Sequence, residues 1–307
     1  MFPNYRSCSD MKRITYYIFY GFAWLVSLLP FWALHGVADF LYFMLYHVFG
    51  YRKEVTRTNL RNAFPDKDEK WIIKTSAQFY KNLSDIILED IKVLTIRQKK
   101  LAKHYRYVNV EVMERIFEQN KSVILACGHC GNWEWMGNTL APRYKEQKGF
   151  AIVKPLANKY FDSFMNGLRN RYLPDSIIYM KDTLRTMVKR KNEVSIYAFA
   201  ADQTPSNPQA AYWGKFMNQD TPFYLGIEKI ARTMDMPVIY IDLYREKRGY
   251  YVGELSLITD EAKATKEGEI TEAYIQKLEE AIRRNPGIWL WSHKRWKHKR
   301  EQSNNPE

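Results

Sequence analysis

From Ile14 to Gly50 the chain is almost free of charge, with Asp39 its only acidic or strongly basic residue. The run ITYYIFYGFAWLVSLLPFWAL (14–34) has the roughly 20 residues that one bilayer-spanning helix needs. Lys12 and Arg13 precede it, which favours a cytoplasmic N-terminus, and no small-residue cleavage site follows, so it reads as an uncleaved anchor. Pro30 should kink or end a helix there. The next stretch, FWALHGVADFLYFMLYHVFGYRK, carries His35, Asp39 and His47 and reads as an interfacial helix or return segment. A buried helical hairpin is the competing reading, disfavoured by the Trp and Tyr content and the flanking bases.

Beyond Tyr51 the pattern changes. Ile72, Ile73, Phe79, Leu83, Ile86 and Ile87 recur at helical spacing, after a break at Pro65-Asp66 where Asp66 or Asp68 can cap the helix. Short apolar runs then alternate with helical patterns. SVILAC (122–127), GFAIVKPL (149–156), SIIYM (176–180), VSIYAFAAD (194–202) and PVIYIDLYR (237–245) read as strands. Helices are predicted for KYFDSFMNGLRNRYL, TLRTMVKRK and YLGIEKIARTMD between them. GYYVGELSLI adds a strand, expected antiparallel, and an amphipathic helix with Ala273, Ile275, Leu278 and Ile282 in its stripe follows. The alternation predicts an α/β fold, a mostly parallel central sheet flanked by helices, with the N-terminal hydrophobic membrane helix attached. We expect an anchor and interfacial helix over 1–50, the main domain over 51–300 and a disordered tail over 301–307.

Composition narrows the partners. The net charge of +13 calls for an anionic partner, and 9 Trp with 22 Tyr suit an apolar–polar boundary. Three cysteines exclude a disulfide-built secreted fold and favour a reducing compartment. Near the C-terminus Lys294, Arg295, Lys297, Lys299 and Arg300 interleave with Trp289, Trp291 and Trp296. Beside an apolar N-terminus this suits anionic headgroups or substrate phosphates, at about 1 kcal/mol per base near a charged surface. No nucleic-acid-binding module is recognisable.

The chemistry concentrates in LACGHCGNWEW (125–135), which permits three readings. Cys127-Gly-His-Cys130 has the spacing of a thiol–disulfide centre, but Cys127 falls on a buried strand and the rest of the chain has no redox logic. Cys, His, Cys and Glu could ligate zinc, but no second ligand cluster exists, so no metal is expected. In the third reading His129 is a base oriented by Glu134. Five positions apart on one helix they would diverge by about 140°. They can meet if His129 lies in the turn after the strand and Glu134 on the first turn of a helix capped by Asn132, which Gly128 and Gly131 permit. Such turns sit at the carboxyl edge of α/β sheets, where active sites collect, and helix-start N–H groups there could hold an oxyanion or phosphate.

GHCGNWEW resembles the H-x-x-x-x-(D/E) signature of glycerolipid acyltransferases, most closely the GHFGNWEW form of bacterial lipid A late acyltransferases. The likeness extends to YRKEVTRTNLRNAFP, VKPLANKYFDSFMNGLRNR, ADQTP, PVIYIDLYR and PGIWLWSHKRWK, and so covers nearly the whole chain. It implies a glycerolipid-acyltransferase-like fold at the bacterial inner membrane with its site facing the cytoplasm. The implied reaction moves a fatty acyl chain from an acyl-carrier-protein thioester, or acyl-CoA, to a hydroxyl of a lipid A precursor, without a cofactor. His129 would be the base and Glu134 its partner. Arg169 would bind phosphate or steady the oxyanion, and Asp202 and Gln203 would shape the acceptor site, with turn formation as their structural alternative. Asn132 and Lys154 join them as substrate-binding residues. Cys130 stands where an aromatic is usual, and AYWGKF (211–216) follows the family's aromatic–Gly block loosely. Alternatives are acylation of another amphiphile and, in a different class, a membrane-tethered thiol oxidoreductase using Cys127 and Cys130.

Overall fold

The computed structural model describes residues 5–144 and 146–300, so the tail expected over 301–307 lies outside the described residues. The predicted single span is not formed. Helix α1 (Tyr5–Leu28) stops two residues before Pro30, which starts α2 (Phe31–Phe43), and a π turn (Met44–Val48) extends α2. Proline cannot supply the N–H that would continue α1, so the apolar run becomes two helices. Among the described residues no helix is long and apolar enough to cross a membrane. Val26, Leu34 and Ala38 from this pair form a small core with Leu88, whereas Trp32 (80% exposed) and Phe40 (65%) face outward.

Helix α3 (Lys53–Ala63) leads to α4 (Glu69–Lys92), whose first turn is capped by Asp68 accepting from Trp71 N at 2.8 Å. A short turn α5 (Gln98–Leu101) precedes β1 (Tyr105–Val108) and α6 (Glu111–Glu118), two elements not among those predicted from the sequence. The α/β core then runs β2 (Val123–Cys127), α7 (Trp133–Leu140), β3 (Lys148–Val153), α8 (Lys159–Arg169), β4 (Ile177–Tyr179), α9 (Thr183–Lys189) and β5 (Ser195–Ala200). A two-stranded ribbon follows, β6 (Tyr212–Phe216) and β7 (Gln219–Phe223), where the sequence suggested only a loosely matching aromatic block. Helix α10 (Gly226–Met234), the hairpin β8 (Val238–Lys247) and β9 (Tyr250–Thr259), and α11 (Glu269–Arg284) complete the chain.

The seven-stranded sheet has the order β1-β9-β8-β2-β5-β3-β4. Strands β8, β2, β5, β3 and β4 run parallel, and β9 is antiparallel to β8 as its pattern predicted. Every residue of β2 is buried, as expected of a central strand covered on both faces. All five parallel strands therefore point their carboxyl ends at one edge, and the site assembles there.

Candidate active site

Strand β2 delivers the chain to Gly128, where a Cβ would sit 2.5 Å from Leu278 Cδ1 and 3.5 Å from Asp202 Oδ2. Gly131 takes φ +52°, and a side chain there would press on the Leu243 carbonyl. These two positions need glycine, and between them His129 and Cys130 are held in a tight turn. Cys130 bridges to Trp289 across an isolated antiparallel pair, so the C-terminal PGIWLW block clamps the turn from outside.

Asn132 caps α7 by accepting from Trp135 N at 2.9 Å, as its position after the turn predicted. Its amide nitrogen donates to Glu89 Oε2 at 3.0 Å. Both ends of this wholly buried amide are thus taken inside the wall, which leaves it no group to offer a substrate. Glu89, itself buried, also accepts from Tyr251 OH at 2.6 Å.

The carboxylate that meets His129 is Asp202, at the end of β5, and not Glu134. His129 Nδ1 donates to Asp202 Oδ1 at 2.5 Å, and its backbone N–H donates to Oδ2 at 2.9 Å. Trp289 Nε1 donates to the same Oδ2 at 2.7 Å. Burial opposes charge on Asp202, but the imidazole and these donors outweigh it and hold the carboxyl at about 2. Burial likewise lowers His129, yet the Asp202 charge and hydrogen bond, with Glu134 adding to them, raise its pKa above the ordinary value. With Nδ1–H committed, Nε2 is the free lone pair. The Gln203 amide nitrogen lies 3.3 Å from it and donates to it, which puts Gln203 in direct contact with the imidazole.

Glu134 points from the first turn of α7 to Arg169 at the end of α8. Arg169 Nε and Nη2 grip its two oxygens at 2.8 and 2.5 Å, a bidentate pair that holds Glu134 ionised below its ordinary range although burial opposes it. Behind the pair Asp90 is half-buried, with one buried oxygen that has no partner among the described residues, and burial with the Glu134 and Glu89 charges pushes its pKa well up. Arg169 therefore spends its fork on a protein carboxylate instead of standing free for phosphate. Lys154 is exposed at the rim, 3.4 Å from Ser206 Oγ.

These groups face a cleft of about 460 Å³. His129, Trp133, Glu134, Arg169 and Gln203 line its mouth, and it runs between β2, β3, β5 and α7 past Leu125, Met136 and Leu140 to Gly149 and Ile196. The depth is apolar and the mouth polar, as in sites for amphiphilic ligands. His293 also lines the mouth; burial lowers it to about 4, so it is neutral.

Both thiols are buried, and burial pushes Cys127 and Cys130 far up, against thiolate chemistry. Among the described residues no group of three or more His, Cys, Asp or Glu is placed to hold a metal ion. Of the C-terminal bases read as meeting anionic headgroups or phosphates, Lys294, Lys297, Lys299 and Arg300 are exposed but Arg295 is not. Trp289, Trp291 and Arg295 are fully buried, and the Arg295 guanidinium lies 4.4 Å over the Phe223 ring while donating to Pro222 O at 2.7 Å. Trp289 was read only as part of the C-terminal aromatic block and His293 not at all, because only folding brings residues 160 and 164 positions downstream to the His129 turn. The sole sequence signal was their place in the PGIWLWSHKRWK block.

A search of curated proteins finds no match. A family model described as bacterial lipid A biosynthesis acyltransferase matches residues 4–298.

Proposed function

The chain belongs to the bacterial lipid A biosynthesis acyltransferases, an enzyme family, and on that premise we propose that His129 and Asp202 form its catalytic pair. The observation that carries this reading is an imidazole tied at Nδ1 to a buried carboxylate, with Nε2 open to an apolar cleft. The donor is a fatty acyl thioester on a carrier protein, with its chain in the depth of the cleft. The acceptor is a hydroxyl of a lipid A precursor, which displaces the Gln203 amide from Nε2.

Nε2 takes the hydroxyl proton as the oxygen attacks the thioester carbonyl. Asp202 stays ionised and stabilises the imidazolium. The tetrahedral intermediate collapses with rupture of the C–S bond, and the imidazolium returns its proton to the leaving thiolate. The products are the ester and the free carrier thiol. In this scheme Glu134 and Arg169 are a positioning pair that shapes the mouth and places a negative charge beside the imidazole. Lys154, at the rim, meets an anionic part of donor or acceptor. Trp32, Phe40 and their neighbours on α1 and α2 rest in the headgroup region of the inner membrane, on its cytoplasmic side, without crossing it.

The test is acyl transfer to a lipid A precursor, read by mass spectrometry. His129→Ala should abolish the mass increase and Cys127→Ser/Cys130→Ser should retain it. The opposite pattern would return the site to thiol chemistry.

A further inference from the structure

The crossover from β4 to β5 starts at the mouth of the cleft, where Met180 is itself a lining residue. From Met180 three apolar residues recur four positions apart. Met180, Leu184 and Val188 are 45%, 47% and 52% exposed. One position on, Lys181, Arg185 and Lys189 recur with the same spacing, all exposed. Met180 and Lys181 lie on the 3₁₀ turn Met180–Asp182 that leads into α9; on α9 itself Leu184 and Val188 share one face and Arg185 and Lys189 the neighbouring one, because residues four apart on a helix lie on one side. The opposite face, Thr183 and Met187, is buried and fixes the orientation of both rows.

Among the described residues none of the three bases takes part in an ion pair. Over 180–192 Asp182 is the only acid among five bases, and among the described residues only Arg190 of those bases is paired, to Glu193 at 2.8 Å. Lys154 and Lys297, both exposed, carry the positive rim around the mouth. Single exposed apolar side chains are ordinary; a spaced row of them, flanked by unpaired bases and leading into an apolar cleft, is not.

We propose that this face docks an acidic helix of the protein that carries the acyl thioester. Acidic side chains of the partner pair with Lys181, Arg185 and Lys189, its apolar residues cover Leu184 and Val188, and the thioester arm passes Met180 toward His129. The inference rests on the acyl-transfer reading above and specifies its donor. A coenzyme A thioester could use the rim lysines, but it gains nothing from Leu184 and Val188, which continue the row along α9 beyond the residues that line the cleft. A membrane is the weaker occupant. Its preferred residues, Trp, Tyr and Phe, crowd the outer face of α1 and α2, whereas the row on α9 is Met, Leu and Val. Complementary charge of this kind speeds encounter and weakens as salt is raised.

The experiment compares the full chain with its Lys181→Glu/Arg185→Glu/Lys189→Glu variant and, as a control for equal charge change at exposed positions, Lys99→Glu/Lys103→Glu/Lys121→Glu. Binding of purified acyl-loaded carrier protein is measured by calorimetry at low and high salt, and binding to vesicles of phosphatidylethanolamine and phosphatidylglycerol by co-sedimentation. An unchanged melting temperature in the α9 variant establishes that it folds. The proposal requires at least a tenfold loss of carrier affinity in the α9 variant alone, a salt-sensitive wild-type affinity, and vesicle binding held within twofold. Carrier affinity held within twofold overturns it. So does a loss of vesicle binding with carrier binding intact, which would assign the face to the membrane. Should wild type bind the carrier through α9 yet transfer no acyl chain, the acyl-transfer reading fails while the docking face stands.

Discussion

Replacing Asp202 by Asn tests the centre of the mechanism, because the change keeps shape and removes one acceptor. Three N–H groups converge on the carboxylate: His129 Nδ1 at 2.5 Å, the His129 backbone at 2.9 Å and Trp289 Nε1 at 2.7 Å. An amide offers one oxygen and one NH2. If the oxygen stays with Trp289 and the backbone, the NH2 confronts Nδ1, and the imidazole proton must move to Nε2. That nitrogen then has no lone pair for the acceptor hydroxyl. If the amide flips, two buried donors lose their partner, at about 1–3 kcal/mol each. The first arrangement is cheaper for folding and fatal for catalysis. Replacing a buried carboxylate that orients a catalytic histidine costs about 10⁴-fold in kcat in the serine-protease case, and we expect a loss of that order for Asp202→Asn. Steady-state acyl transfer from acyl-carrier protein, with the ester product followed by mass spectrometry, measures it. The reasoning is refuted if Asp202→Asn stays within threefold of wild type while Glu134→Gln falls by 10⁴. That outcome would restore Glu134 as the partner of the imidazole.

Three further predictions use the same geometry. The base must be neutral to act, and Asp202 raises the His129 pKa, so kcat/KM should fall on the acid side with a midpoint above 6.5. An acid limb below 6.5 in the wild-type pH profile would contradict this. Arg169→Ala leaves Glu134 without its partner, and breaking a buried ion pair costs about 3–5 kcal/mol. A clear drop in melting temperature should accompany its loss of activity, with partial recovery in the Arg169→Ala/Glu134→Gln double variant; a drop no smaller in the double variant would count against the pairing. Trp32→Ser/Phe40→Ser removes two outward rings without touching the cleft, so vesicle binding should weaken while turnover of a detergent-dispersed acceptor is kept.

Much of the core was legible because its strands are central. A strand buried on both faces must be a continuous apolar run, and SVILAC, VSIYAFAAD and PVIYIDLYR announce themselves on that ground. The edge strand β1 and the β6–β7 ribbon were not legible, since short half-covered strands carry no such run, whereas α6 does carry helical spacing in Val112, Met113, Ile116 and Phe117 but spans only eight residues. The N-terminal run showed the opposite failure. Its length and hydropathy fit one span, but Pro30 divides it, and each half finds cover on α4.

At the site, local chemistry was readable where the chain is contiguous. His129 in a glycine-bounded turn, Asn132 as the cap of α7 and Glu134 on its first turn all follow from residues a few bonds apart. Sequence alone, with its family likeness, thus determined the reaction class and the turn that carries His129. The tertiary structure decided the partners. Asp202 comes to His129 because β5 runs parallel beside β2 and ends at the same edge, and Glu134 goes to Arg169 because α8 ends against the first turn of α7. Sequence spacing cannot rank carboxylates 5 and 73 positions away, because a hydrogen bond depends on separation in space, and only the register of the folded sheet sets that separation.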